Sequence, residues 1–188
     1  MDNSFAKILE VSNMLFKSKG YKGTSVREIA EHSGLAKATI YHYFPDKEAI
    51  VQQLLVETIF KFHEVAQSIS EIADPRARLT VGAEITISFL YESSSVIQLV
   101  RQELPALWNK NKPELLPIYE RYLSLLSQAI DQGIEEGIFR AINSQEAAIV
   151  LLNLIQGTYA SIRLVGLGEK QTYSTAGILD IFFNGIVK

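Results

Sequence analysis

Apolar residues recur along nearly the whole chain at intervals of three and four, and no segment shows the two-residue alternation of a strand. The pattern predicts an all-α protein of about nine helices. Phe5, Ile8, Leu9, Leu15 and Phe16 mark the buried face of a first helix that stops near Gly20. Thr24 or Ser25 can cap a second, in which Val26, Ile29 and Ala30 face inward until Gly34 ends it. A third, very short helix spans Lys37 to Tyr43, anchored by Ile40 and Phe44. Pro45 and Asp46 break the chain. Asp46 then opens a long helix that carries Ile50, Leu54, Ile59 and Phe62 towards Ile72.

"ADPRARL" restarts the chain, with Asp74 as cap and Pro75 at the first helical position, where a missing N–H costs nothing. That helix is expected to reach about Tyr91. "ESSS" at 92–95 predicts a break, 96–108 a shorter helix, and Pro113 the entry to a long amphipathic helix ended by Gly137. "NSQE" at 143–146 has the form of a capping box and opens a helix to about Val165. "GLGEKQTYS" reads as a flexible connection to a last helix that ends near Val187.

With 188 residues, 47% of them apolar and 21% charged, the chain has enough material for a packed core. It contains no cysteine, so disulfides and thiolate chemistry are excluded. No apolar run approaches the roughly 18 residues of a membrane span, and the start of the chain does not read as a signal peptide. A soluble, cytoplasmic protein is expected, with no membrane association. The formal charge of −3 hides a mild asymmetry. Residues 1–50 hold seven basic against six acidic side chains, the remainder eleven against fifteen. A small nucleic-acid module on an acidic body is compatible with that distribution.

The stretch "TSVREIAEHSGLAKATIYHYF" gives this module a form. Two short helices meet at a glycine turn, with Ala30 at the close-packing point and Ile29, Leu35 and Ile40 as anchors, as in a helix-turn-helix spanning about 25–44. In that geometry the second helix is offered to the DNA major groove. With Ile40 and Phe44 turned inward, its outer face is left with Lys37, Ala38, Thr39, Tyr41 and His42. Lys37 can reach guanine acceptors or phosphate, the Thr39 methyl can touch a thymine methyl, and Tyr41 and His42 can donate to phosphate. Thr24 and Lys47 stand at helix starts, where free N–H groups and the helix dipole favour an anion. Arg27 can add a backbone contact or pair with a carboxylate. Tyr43 and Phe44 read as packing residues, and Glu28 and Glu31 as solvent-facing charges.

"GYKGTSVREIAEHSGLAKATIYHYFPDKEAIVQQLL" resembles the DNA-binding domain of the TetR family of transcriptional regulators. The likeness rests on the G-[YF]-x-x-T-[ST]-[VI]-x-x-I-A opening, the S-G-L-A-K-x-T-[IL]-Y-x-Y-F recognition helix and the K-E-x-[LI] start of the next helix. The resemblance implies a homodimer on a near-palindromic double-stranded operator, a ligand pocket in the C-terminal body, and repression relieved by a small-molecule effector. It places Thr24, Lys37, Thr39, Tyr41, His42 and Lys47 at the positions that meet DNA. His42 departs from the pattern, standing where Tyr or another polar residue often occurs. Residues 1–50 are thus expected to form the DNA-binding domain and 51–188 the ligand-binding and dimerisation domain.

The body offers less. Phe62, Phe89, Tyr91, Trp108, Tyr119 and Tyr122 are candidates to line an apolar effector pocket, although aromatics in a helical bundle commonly just fill it. The segment 147–165 is apolar on more than one face and, with the last helix, is expected to form the dimer interface through Ile155, Tyr159 and Phe182. No catalytic constellation, metal-spaced cluster or glycine-rich phosphate loop occurs, so neither an enzyme nor a metal or cofactor is expected. The function that the resemblance implies, a ligand-released repressor, is therefore the one expected. An activator, or a ligand-independent DNA-binding protein of the same fold, is the alternative.

Overall fold

The computed structural model describes residues 3–165 and 175–186, all of it helix and short connections: α1 Asn3–Lys19, α2 Val26–Ser33, α3 Lys37–Tyr43, α4 Lys47–Gln67, α5 Pro75–Glu103, α6 Pro105–Glu135, α7 Ser144–Val165 and α8 Thr175–Ile186. A single 3-10 turn, Ser68–Glu71, follows α4. The connection expected at 166–174 and the end of the last helix at Val187 lie outside the described residues.

The helix ends follow local chemistry. Ser25, in extended conformation, accepts the Glu28 N–H while the Glu28 carboxylate takes the Ser25 N–H, a complete capping box for α2. Gly34 closes α2 at φ 64°, a conformation that favours a residue without Cβ. Asp46, Asp74 and Asn143 cap α4, α5 and α7, each accepting an N–H three residues on.

Two expected boundaries are absent. The serines at 92–95 do not break the chain, and α5 runs on to Glu103. Serine is only a weak helix breaker; the stop comes at Leu104, because Pro105 disfavours helical geometry in the residue before it. Pro105, not Pro113, is therefore the first residue of α6, and Pro113 and Pro117 lie inside that helix. Both are exposed, as is Asn109, whose carbonyl loses its partner to Pro113, so water can serve the freed backbone groups.

The residues fall into two compact units, and the division is not at residue 50. The first comprises the chain up to Lys61 together with Ser93–Leu115; the second comprises Phe62–Glu92 and the described part of the chain from Leu116 on. Helices α4, α5 and α6 each contribute to both, which a linear cut cannot express. In the first unit Ile8 and Phe16 of α1, Ile29 of α2, Ile40 of α3 with Phe44 just after it, and Ile50 and Leu55 of α4 share one core with Val100 and Leu107. The second unit is built around Leu79, Leu126, Ile130, Phe139, Leu151 and Phe182.

Candidate nucleic-acid interface

Helix α3 is held by its apolar side. Ile40 and Phe44 are buried, Phe44 stacks on Phe5 of α1 at 5.2 Å, and the half-buried Tyr43 meets the same ring edge-on at 5.9 Å. The aromatic clamp on the recognition helix is thus supplied by α1. With that side fixed, Lys37, Ala38, Tyr41 and His42 are exposed and Thr39 is half-buried. Tyr41 is 46% exposed, and the Lys37 ammonium lies 5.5 Å from the centre of its ring, one turn back on the same face. A short helix presenting a cation, a methyl-bearing hydroxyl, a phenol and an imidazole matches what a major groove about 12 Å wide admits and reads.

The flanking positions behave differently from one another. Thr24 is only 2% exposed, and its hydroxyl donates to the Gly20 carbonyl at 2.8 Å. It is not the cap of α2 and does not turn its hydroxyl outward; tucking it in satisfies the tight turn after α1. The Lys47 ammonium donates to the Tyr21 carbonyl at 2.6 Å and the Thr24 carbonyl at 2.7 Å, and sits 4.0 Å from the centre of the Tyr21 ring. Partial burial holds its pKa below the usual lysine range, against the opposing pull of Glu103 and Glu28. Two of its three donors are spent on the protein, so its expected phosphate role is left with one. Arg27 is fully outward and pairs along α2 with Glu31 at 2.8 Å, an exposed contact of little energetic weight.

Three residues of this region escaped the sequence reading as contributors. Glu28 is no idle surface charge: it completes the capping box and pairs with Lys19 at 2.7 Å. The Ser25-x-x-Glu28 spacing carries that signal. Tyr21 supplies the ring beneath Lys47. Glu103 accepts the backbone N–H groups of Tyr21 and Lys22, each at 3.2 Å, across more than 80 residues of chain, and no local pattern announces it.

The aromatics expected to form one pocket do not assemble. Phe62 packs on Phe89 at 4.4 Å and on Tyr122 at 4.9 Å. Tyr122 is buried, donates to the Gly82 carbonyl at 2.5 Å and pairs with the Thr86 hydroxyl at 2.9 Å; burial pushes its pKa up to about 12. Tyr91 stands outside this trio, edge-on to Tyr159 at 5.2 Å, and Tyr119 is exposed. Trp108 packs against the core of the first unit, with the Arg101 guanidinium 5.7 Å from its ring. The expected interface residues are likewise redistributed. Ile155 and Phe182 are 1% and 4% exposed within a single chain, covered by their own core, and Tyr159 is half-buried. The outer side of these two helices instead shows Val150 and Ile181, the latter 69% exposed.

Comparison with known proteins agrees with this architecture at both ends of the chain. Residues 8–54 match the model for bacterial regulatory proteins of the tetR family, and residues 73–160 match the tetracyclin repressor-like C-terminal domain. The HTH-type transcriptional repressor KstR2 of Rhodococcus jostii is 25% identical over 96% of this chain and 89% of its own. The structure of the ketosteroid transcriptional regulator KstR2 of Mycobacterium tuberculosis superposes with a TM-score of 0.75 at 23% identity, covering 100% of this chain and 97% of that one. AibR, solved in complex with isovaleryl coenzyme A and operator DNA, gives a TM-score of 0.72 at 22% identity over 98% of each chain. With a helix-turn-helix whose polar face is exposed and a C-terminal segment that matches the family's helical domain, the chain belongs to the TetR family of DNA-binding transcriptional regulators.

Proposed function

We propose that this protein is a cytoplasmic repressor that binds a near-palindromic operator as a homodimer and is released by a small, largely apolar effector. The observation that carries the reading is the division of α3, whose Ile40, with Phe44 at its C-cap, is locked into the core while Lys37, Ala38, Tyr41 and His42 are left to the solvent. Two copies place such helices about 34 Å apart, one turn of B-DNA. The complex of AibR with isovaleryl coenzyme A and operator DNA, and the regulator named for ketosteroids, support an effector with a substantial apolar part. The rings of Phe62, Phe89 and Tyr122 are the apolar group around which such a molecule would be accommodated, with the Tyr122 and Thr86 hydroxyls as its polar contact. Release follows from differential affinity: an effector that prefers a state with α4 tilted draws the two reading helices out of register with the groove.

The test is binding of the purified protein to the duplex upstream of its own gene, or to sites it selects from a random duplex pool, followed by fluorescence anisotropy. Tyr41→Phe should weaken binding several-fold through the lost phenol donor, and Lys37→Ala should relax the preference at one base position. Unchanged affinity in both variants would remove α3 as the reading element.

A further inference from the structure

The loop between α1 and α2 has no regular structure, yet most of its backbone polar groups are held. The Gly20 N–H donates to the Phe16 carbonyl at 3.0 Å, and the Gly20 carbonyl takes the Thr24 hydroxyl. The Tyr21 and Thr24 carbonyls both receive the Lys47 ammonium, and the Ser25 N–H ends on Glu28 at 2.9 Å. The two successive N–H groups of Tyr21 and Lys22 go to the two oxygens of one carboxylate, Glu103, the last residue of α5. Gly20 makes room for it. Its φ of +73° favours glycine, and a Cβ there would stand 3.2 Å from a Glu103 oxygen.

We infer that Glu103 is a positioning residue for operator recognition. It meets no reading residue itself. It fixes the loop that ends at Ser25, the N-cap of α2, and α2 in turn carries α3 across the Gly34 turn. Lys47 grips the carbonyls of the same loop while Glu103 grips its amides, so the start of the helix-turn-helix is clamped from both sides by the first residue of α4 and the last of α5. A carboxylate is suited to this task because it alone offers two charged acceptors to two adjacent N–H groups.

The inference rests on the DNA-reading role of α3, and the sign of the effect separates it from the plain alternative. An acidic side chain near a DNA-binding surface merely repels phosphate, so neutralising it should tighten binding to any duplex. A positioning residue gives the opposite result. Glu103→Gln keeps the size but has one acceptor oxygen for two N–H groups, and Glu103→Asp keeps the charge but falls short. Both should bind the selected duplex about tenfold more weakly, the worth of a hydrogen bond to a charged group. The salt slope should not change, because no phosphate contact is lost. Amide exchange at Tyr21 and Lys22 should accelerate while Ile29 and Ile40 keep their protection. Unchanged or tighter binding by either variant overturns the inference, as does exchange that accelerates throughout the first unit. Failure of the wild-type protein to select any site from the pool would count against the reading role of α3 instead.

Discussion

Lys47 and Tyr21 are joined twice: the ammonium donates to the Tyr21 carbonyl at 2.6 Å and rests 4.0 Å from the centre of the same residue's ring. A side chain engaged through both a hydrogen bond and a cation–π contact is part of the scaffold as well as a positive charge. Lys47→Met, which keeps the stem and removes the donors, should therefore lower the free energy of unfolding by about 1–2 kcal/mol. It should also weaken binding to all duplexes alike. Urea denaturation of the wild type and variant measures the first effect. A variant as stable as the wild type would return Lys47 to the role of a pure phosphate contact.

Glu28 predicts a pH effect. Its carboxyl is held down from an ordinary 4.5 to about 2, first by the Lys19 hydrogen bond and then by the Ser25 N–H and hydroxyl. A depressed carboxyl contributes stability in full above about 4.5 and loses it as the pH falls towards 2. The difference in stability between wild type and Glu28→Gln, followed by acid titration, should be constant at neutral pH and shrink across that window. Lys19→Met should remove part of the same difference. A gap that stays constant down to pH 2 would deny Glu28 its partners in solution.

The outer side of α7 and α8 gives a prediction about assembly. If dimers form there, Ile181→Asp should yield folded monomers in sedimentation, because the side chain is 69% exposed in the single chain and costs the protomer little. Ile155→Asp should behave differently. A carboxylate placed among its core neighbours is uncompensated and should unfold the second unit, at a cost above about 4 kcal/mol. Dimers that persist in Ile181→Asp would move the interface off this surface.

The DNA-reading end of the protein was legible in the sequence because its determinants are local. Ile29, Gly34, Leu35 and Ile40 lie within a dozen residues of one another, and the cap, turn and buried positions are all set by neighbours a turn or two away. The apolar period likewise sufficed to identify α1, α4 and α7. The body was read less well, for two reasons. The length of α5 and α6 turned on whether serines and prolines would be tolerated inside a helix, and exposure of Pro113 and Pro117 to solvent, not their identity, allowed it. The aromatic positions were visible, but the period that marks a residue as buried does not say which neighbours bury it. Trp108 and Phe62 therefore looked alike in sequence and belong to different cores.

By itself, then, the order of residues determined the all-helical architecture, the position of the helix-turn-helix and the polar face of α3, because backbone geometry over a few turns fixes each of them. Only the tertiary structure decided that Ile155 and Phe182 are covered by their own chain, that the Lys47 ammonium is turned back onto the Tyr21 and Thr24 carbonyls, and that Glu103 closes on the amides of Tyr21 and Lys22. Each of these depends on groups brought together from distant parts of the chain, and a hydrogen bond or buried contact has a partner only once the fold has supplied it.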